Sequence, residues 1–180
     1  GVVEGHIYSR NTNPTVRAFE DKIKELENAE AATSFSSGMA AISNTLGTFL
    51  KSGDRVVSIK DSYGGTNVIF NEFLPPLNID VSLCETNDHD QITKEIAKGC
   101  QVLYLETPTN PTIKITDIKK LSAVAKEVGA IVVVDNTFAT PINQSPLALG
   151  ADIVLHSASK YLGGHADALG GIICGSKKLV

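Results

Sequence analysis

Apolar positions recur at helical spacing over the first fifty residues and fall into short unbroken runs afterwards. Thr12-Asn13-Pro14 offers an N-cap followed by a first-turn proline, and Val16, Phe19, Ile23 and Leu26 then share one face, which predicts an amphipathic helix to about residue 28. Ser36-Ser37-Gly38 opens a second helix, with Met39, Ile42, Leu46 and Leu50 on its stripe and Ser52-Gly53-Asp54 at its end. Beyond it the period switches back and forth. Strands are predicted at 55–59, 79–83, 102–106, 131–135, 153–156 and 171–174, and helices at 66–74, 88–97 and 116–128, with Pro75-Pro76 as a hard break.

Strands apolar on both faces and separated by helices predict the α/β class: three αβα layers around a mostly parallel central sheet. Ligands of such sheets bind beyond the carboxyl ends of the strands. Asp135, the turn from Ser157 to Lys160, Tyr63 and the loop from Thr107 to Asn110 all fall there. Neither an internal repeat nor a low-complexity segment interrupts the pattern.

Bulk chemistry narrows the partners. The 180 residues suffice for one buried domain, and a net charge of −4 provides no basic field for nucleic acid or an anionic membrane. A small anionic metabolite suits the chain better. No apolar run approaches the roughly 20 residues of a membrane span, and the opening Gly1-Val2-Val3-Glu4-Gly5-His6 does not read as a signal peptide, so a cytoplasmic location is expected. Cys84, Cys100 and Cys174 are odd in number and widely spaced, which predicts buried free thiols rather than disulfides or a zinc site. His6, His89, His156 and His165 lack metal-ligand spacing, and no metal is expected. Both ends read as cut, as in part of a longer protein.

One pairing carries specific chemistry. Lys160, in His156-Ser157-Ala158-Ser159-Lys160-Tyr161, follows by 25 residues Asp135, which closes the run Ile131-Val132-Val133-Val134. A lysine amine can condense with the aldehyde of pyridoxal phosphate, serines can bond its phosphate, and a buried carboxylate can keep its pyridine nitrogen protonated. Most lysines are solvated surface charges, but one packed after an apolar strand and two hydroxyls is placed for desolvation to favour its neutral amine. Asp135 is costly to bury unless paired; a helix cap or a metal ligand is the plainer alternative. Ser37-Gly38-Met39 begins a helix, so its free N–H groups and glycine suit a phosphate, though many helices begin this way. Tyr63 could lay its ring on a flat cofactor and exchange a proton, or be a packed surface residue. Tyr8 and Arg10 lie in a segment too polar for a core stripe, where arginine could hold phosphate or a surface carboxylate. Asn110 sits in a loop stiffened by Pro108 and Pro111, which could serve as a simple turn.

Taken in order, Tyr8-Ser9-Arg10 with Asn13-Pro14-Thr15, Ser37-Gly38-Met39, Tyr63-Gly64-Gly65-Thr66, Glu106-Thr107-Pro108-Thr109-Asn110-Pro111, Val134-Asp135-Asn136-Thr137 and residues 156–165 resemble the cystathionine synthase and lyase family of fold-type I pyridoxal phosphate enzymes. The resemblance implies the large domain of an aspartate aminotransferase-like fold, with 1–50 as its N-terminal segment and first helices, 51–180 as its core, and the family's small C-terminal domain outside this chain. It implies Lys160 as the cofactor-bonding lysine and proton shuttle, Asp135 on the ring nitrogen, Tyr63 stacked on the ring and acting at the leaving group, and Asn110 near the ring oxygen. Gly38, Met39, Ser157 and Ser159 would hold the phosphate. Tyr8 and Arg10 would reach the phosphate of a neighbouring subunit, making an active-site-sharing dimer, usually doubled to a tetramer.

The activity so implied is γ-elimination or γ-replacement on sulfur amino acids or activated homoserine, of the cystathionine γ-synthase or γ-lyase type, within methionine and cysteine metabolism. Methionine γ-lyase and O-acetylhomoserine sulfhydrylase are the alternatives. Gly65 stands where methionine γ-lyases typically carry cysteine, which favours the first pair. A non-catalytic cofactor-binding or assembly fragment is the rival of another class. A dinucleotide-binding domain ranks last, since no Gly-x-Gly-x-x-Gly follows an early strand.

Overall fold

A computed structural model describes residues 5–180. Helix α1 (Pro14–Leu26) starts where the Asn13 Oδ1 accepts from the N–H groups of Thr15 and Val16, at 2.9 and 3.3 Å. Strand β1 (Ala31–Phe35) follows, then α2 (Gly38–Phe49), capped by the Ser37 hydroxyl accepting from Ala40 N–H. The alternating part comprises β2 (Arg55–Ile59), α3 (Gly64–Val68, continued by a π-helical turn to Phe73), β3 (Asp80–Cys84), α4 (His89–Ala97), β4 (Val102–Glu106), α5 (Ile118–Glu127) and β5 (Ile131–Asp135). A short α6 (Thr140–Asn143), β6 (Ile153–Ser157) and β7 (Gly171–Gly175) complete the order.

The seven strands form one sheet in the order β1-β7-β6-β5-β4-β2-β3, with β3, β2, β4, β5 and β6 parallel and β7 antiparallel to both neighbours. Period-two alternation sorts the apolar side chains. Leu103, Leu105, Val132 and Val134 meet Ile92 and Ile96 of α4 and Leu121 and Ala125 of α5 on one face. Val102, Val133, Ile153 and Leu155 meet Ala41, Ile42 and Leu46 of α2 on the other. The expected three-layer α/β architecture is therefore present. All three cysteines are buried and free, and no helix among the described residues is long and apolar enough to cross a membrane.

Besides the short α6, which was not expected, two features differ from the pattern read in the sequence. Strand β1 was not expected, because Ala31-Ala32-Thr33-Ser34-Phe35 shows no hydrophobic period, and all five residues are half-buried at the sheet edge. Its place is fixed from outside. The Glu20 carboxylate of α1 accepts from the Ser34 N–H and hydroxyl at 2.8 and 2.9 Å, which covers part of an otherwise open edge. The helix expected at 66–74 begins earlier, at Gly64, and loosens into the π turn before Pro75. Leu121 is fully buried between α5 and the sheet, so Leu121→Ala should lower unfolding free energy by about 3 kcal/mol in urea titrations. A loss within experimental error would show that this face is not part of the cooperative core.

Candidate active site

The parallel strands all end on one side of the sheet, and chain order reverses between β2 and β4. Beyond this crevice lies a cavity of about 190 Å³. Gly38, Met39, Tyr63, Asn110, Asp135, Ser157, Ser159 and Lys160, drawn from four strand ends and one helix start, all line it. Tyr8 and Arg10 do not. They lie in the exposed segment before α1, with the Arg10 guanidinium 5.2 Å from the centre of the Tyr8 ring.

Asp135 closes β5 and is only 5% exposed. Thr137 donates to its Oδ1 from both backbone and hydroxyl, at 3.0 and 2.5 Å, while the Tyr104 hydroxyl lies 3.4 Å from Oδ2. Burial pushes this carboxyl above its ordinary value, and the Thr137 bonds oppose the shift. No cationic side chain forms an ion pair with it among the described residues. A protonated ring nitrogen is a group that would supply the missing charge partner.

The other end of the cavity is built for a phosphate. The Gly38 and Met39 N–H groups lie in the first turn of α2, where they lack intrahelical acceptors. A Cβ on Gly38 would stand 2.6 Å from Ser157 Cβ, so only glycine lets this helix start approach the end of β6. The Ser159 hydroxyl accepts from Gly170 N–H at 3.1 Å, which ties the turn to the segment leading into β7. The donor set thus fits pyridoxal phosphate at both ends, ring nitrogen and phosphate.

Lys160 departs from expectation in one respect. Rather than packed behind the strand, its side chain is exposed, because the turn after β6 carries it over the open cavity. Among the described residues it forms no salt bridge, which leaves the amine free to meet a ligand.

Several contributors were not singled out from the sequence. The Thr137 hydroxyl, besides bonding Asp135, accepts from Ser157 N–H at 2.9 Å and so joins the ring-nitrogen and phosphate ends. A hydroxyl two residues after a strand-end aspartate was the available signal. Glu106, read only as part of a stiff loop, lines the cavity beside Asp135 on the adjacent strand. Behind the sheet, Glu27 and His156 are both fully buried and paired at 2.5 Å, and Asn136 donates to the same Glu27 oxygen at 3.0 Å. These contacts pin the strand ends that carry Asp135 and Ser157. They span 129 residues of chain, a distance at which no sequence period signals contact.

A mostly parallel α/β sheet whose carboxyl ends gather a lysine, a buried aspartate and a helix-start anion site defines a pyridoxal phosphate-binding large domain of fold-type I. A family model described as Cys/Met metabolism PLP-dependent enzyme matches residues 1–180, and the chain belongs to that family. It is 48% identical over 174 residues to cystathionine gamma-lyase of Bacillus subtilis, covering 97% of this chain and 46% of the relative. It is 47% identical to L-methionine gamma-lyase of Fusobacterium nucleatum subsp. polymorphum, covering 97% of this chain and 45% of that one. The crystal structure of metB from Corynebacterium glutamicum superposes with a TM-score of 0.93 at 38% identity, over 97% of this chain and 46% of that one. The chain thus spans about half the length of the relatives it matches.

Burial, and then the nearby Asp135, push the Glu106 carboxyl from 4.5 up to about 7. Between those values the folded chain binds a proton that the unfolded chain has released. Stability attributable to this group is therefore greatest below about pH 4.5, falls as pH rises towards 7, and is constant above. The total is on the order of 3 kcal/mol in the cofactor-free chain. Urea titrations across this range should show a shallower fall for Glu106→Gln; parallel curves would remove Glu106 as the source.

Proposed function

We propose that this chain is the cofactor-binding part of an enzyme that eliminates or replaces the γ-substituent of a sulfur amino acid or an activated homoserine. The observation that carries the reading is one cavity lined by Lys160, Asp135, Gly38 and Ser157. When bound, pyridoxal phosphate supplies an aldehyde that captures amines and a ring that takes up electrons. Lys160 Nζ would bond it and, once released by the incoming amine, carry the proton between the α- and β-carbons of the substrate. Asp135 Oδ2 would hold the ring N–H, and the Gly38 and Met39 N–H groups with the Ser157 and Ser159 hydroxyls would hold the phosphate. The Tyr63 ring would cover the cofactor face while its hydroxyl serves the leaving group, and the Asn110 side chain would bond the ring oxygen.

Tyr8 and Arg10, exposed and away from this chain's own cavity, suit contact with a neighbouring subunit's phosphate. That arrangement makes an active-site-sharing dimer the smallest competent unit and a tetramer its doubling. Gly65 supports the cystathionine γ-synthase or γ-lyase reading over methionine γ-lyase. A Cβ there would lie 2.6 Å from Met39 Sδ and 3.0 Å from the Tyr63 ring, so any side chain must shift one of two pocket residues.

Borohydride treatment of the protein loaded with pyridoxal phosphate should leave a reduced adduct on Lys160 by mass spectrometry, absent from Lys160→Ala. Steady-state assays on the loaded protein before borohydride treatment should show turnover of cystathionine or O-acetylhomoserine above methionine. An adduct with no turnover of any of the three would favour the non-catalytic alternative, and an adduct elsewhere would contradict the reading of Lys160.

A further inference from the structure

Glu106 ends β4 and is 5% exposed, yet both of its carboxylate oxygens are engaged. Oε2 accepts from the backbone N–H of Tyr63 at 2.7 Å, and Oε1 accepts from the backbone N–H of Asn110 at 3.1 Å. Tyr63 opens α3 beyond β2, and Asn110 lies in the loop beyond β4. These are the two neighbouring strands between which chain order reverses. One carboxylate therefore clamps the two walls of the crevice together, at the residues carrying the stacking ring and the ring-oxygen amide.

We propose that Glu106 is a charge-dependent positioning residue: its ionised form holds Tyr63 and Asn110 in the pose that receives the cofactor, and its protonation loosens both. This rests on the reading of Tyr63 and Asn110 as cofactor contacts. An ionised carboxylate offers two equivalent acceptors with charge-assisted bonds, one for each N–H. The protonated acid offers a neutral carbonyl to one N–H and a hydroxyl oxygen, a poorer acceptor, to the other, so both bonds weaken when the proton arrives.

The surroundings set the pH at which this happens. Close to Glu106 are Asp135 from β5 and the Tyr104 hydroxyl from β4 itself, while Tyr63, before α3, and Lys160 line the same cavity. Burial, and then Asp135, push the Glu106 carboxyl up to about 7, so modest acidification protonates the clamp. Cofactor retention then becomes sensitive to pH near neutrality through a group that makes no bond to the phosphate.

The test reads the clamp without relying on turnover. In amide NMR spectra of the cofactor-free chain between about pH 5.5 and 8.5, the Tyr63 and Asn110 N–H signals should move together with one midpoint near 7. Both should stay fixed in Glu106→Gln. In the full-length protein, Glu106→Gln should bind pyridoxal phosphate about tenfold more weakly at pH 8, as expected for one lost charge-assisted acceptor, and its affinity should no longer rise through neutral pH. Signals that do not titrate in the unmodified chain, that titrate with separate midpoints, or that still move in Glu106→Gln would overturn the proposal. The unmodified chain alone decides the first two, so a poorly folding variant does not protect it. Failure of borohydride to label Lys160 would instead remove the cofactor reading and leave the amide titration standing.

Discussion

The arrangement depends on a carboxylate held out of water with no salt-bridge partner among the described residues. Asp135 terminates a strand of buried branched aliphatics, and among the described residues it receives hydrogen bonds from Thr137 and forms no salt bridge. Such a group is unfavourable in its charged form until a positive partner arrives. A ligand that brings a protonated ring nitrogen relieves that cost. On the proposed reading of Asp135, the same burial that destabilises the free site would give it affinity and would keep the ring positively charged, the condition for an effective electron acceptor.

The fold supplies this geometry at little extra cost. Parallel strands deliver their carboxyl ends to one level, so Glu106, Asp135 and the turn after β6 become neighbours although far apart in sequence. The start of α2 then approaches Ser157 closely enough that a methyl group at Gly38 would not fit. Thr137 links the two halves, bonding Asp135 with one face of its hydroxyl and receiving Ser157 N–H with the other. Behind the sheet, the buried Glu27 and His156 pair keeps these strand ends in register with α1.

What was legible in the sequence was local. The caps at Asn13 and Ser37, the apolar runs of β4 and β5, and the residues at the strand ends are each set by interactions within a few positions, and they appear where the pattern placed them. Strand β1 was invisible because small and polar residues at a sheet edge have no period, and what holds them is a carboxylate from α1. The clamp by Glu106 was likewise hidden: its partners are main-chain N–H groups, one of them 43 residues away, and main-chain donors leave no signature in composition. Lys160 was expected to be packed, but the turn after β6 leaves it exposed at the cavity, a placement set by chain path rather than by local pattern.

The central claim is that Asp135 sets the charge of the cofactor ring. The direct measurement is the nitrogen chemical shift of pyridoxal phosphate labelled at its ring nitrogen and bound to the protein. A protonated nitrogen in the unmodified protein that becomes unprotonated in Asp135→Ala at the same neutral pH is the predicted result. An unprotonated nitrogen in the unmodified protein, or the same shift in both, would contradict it.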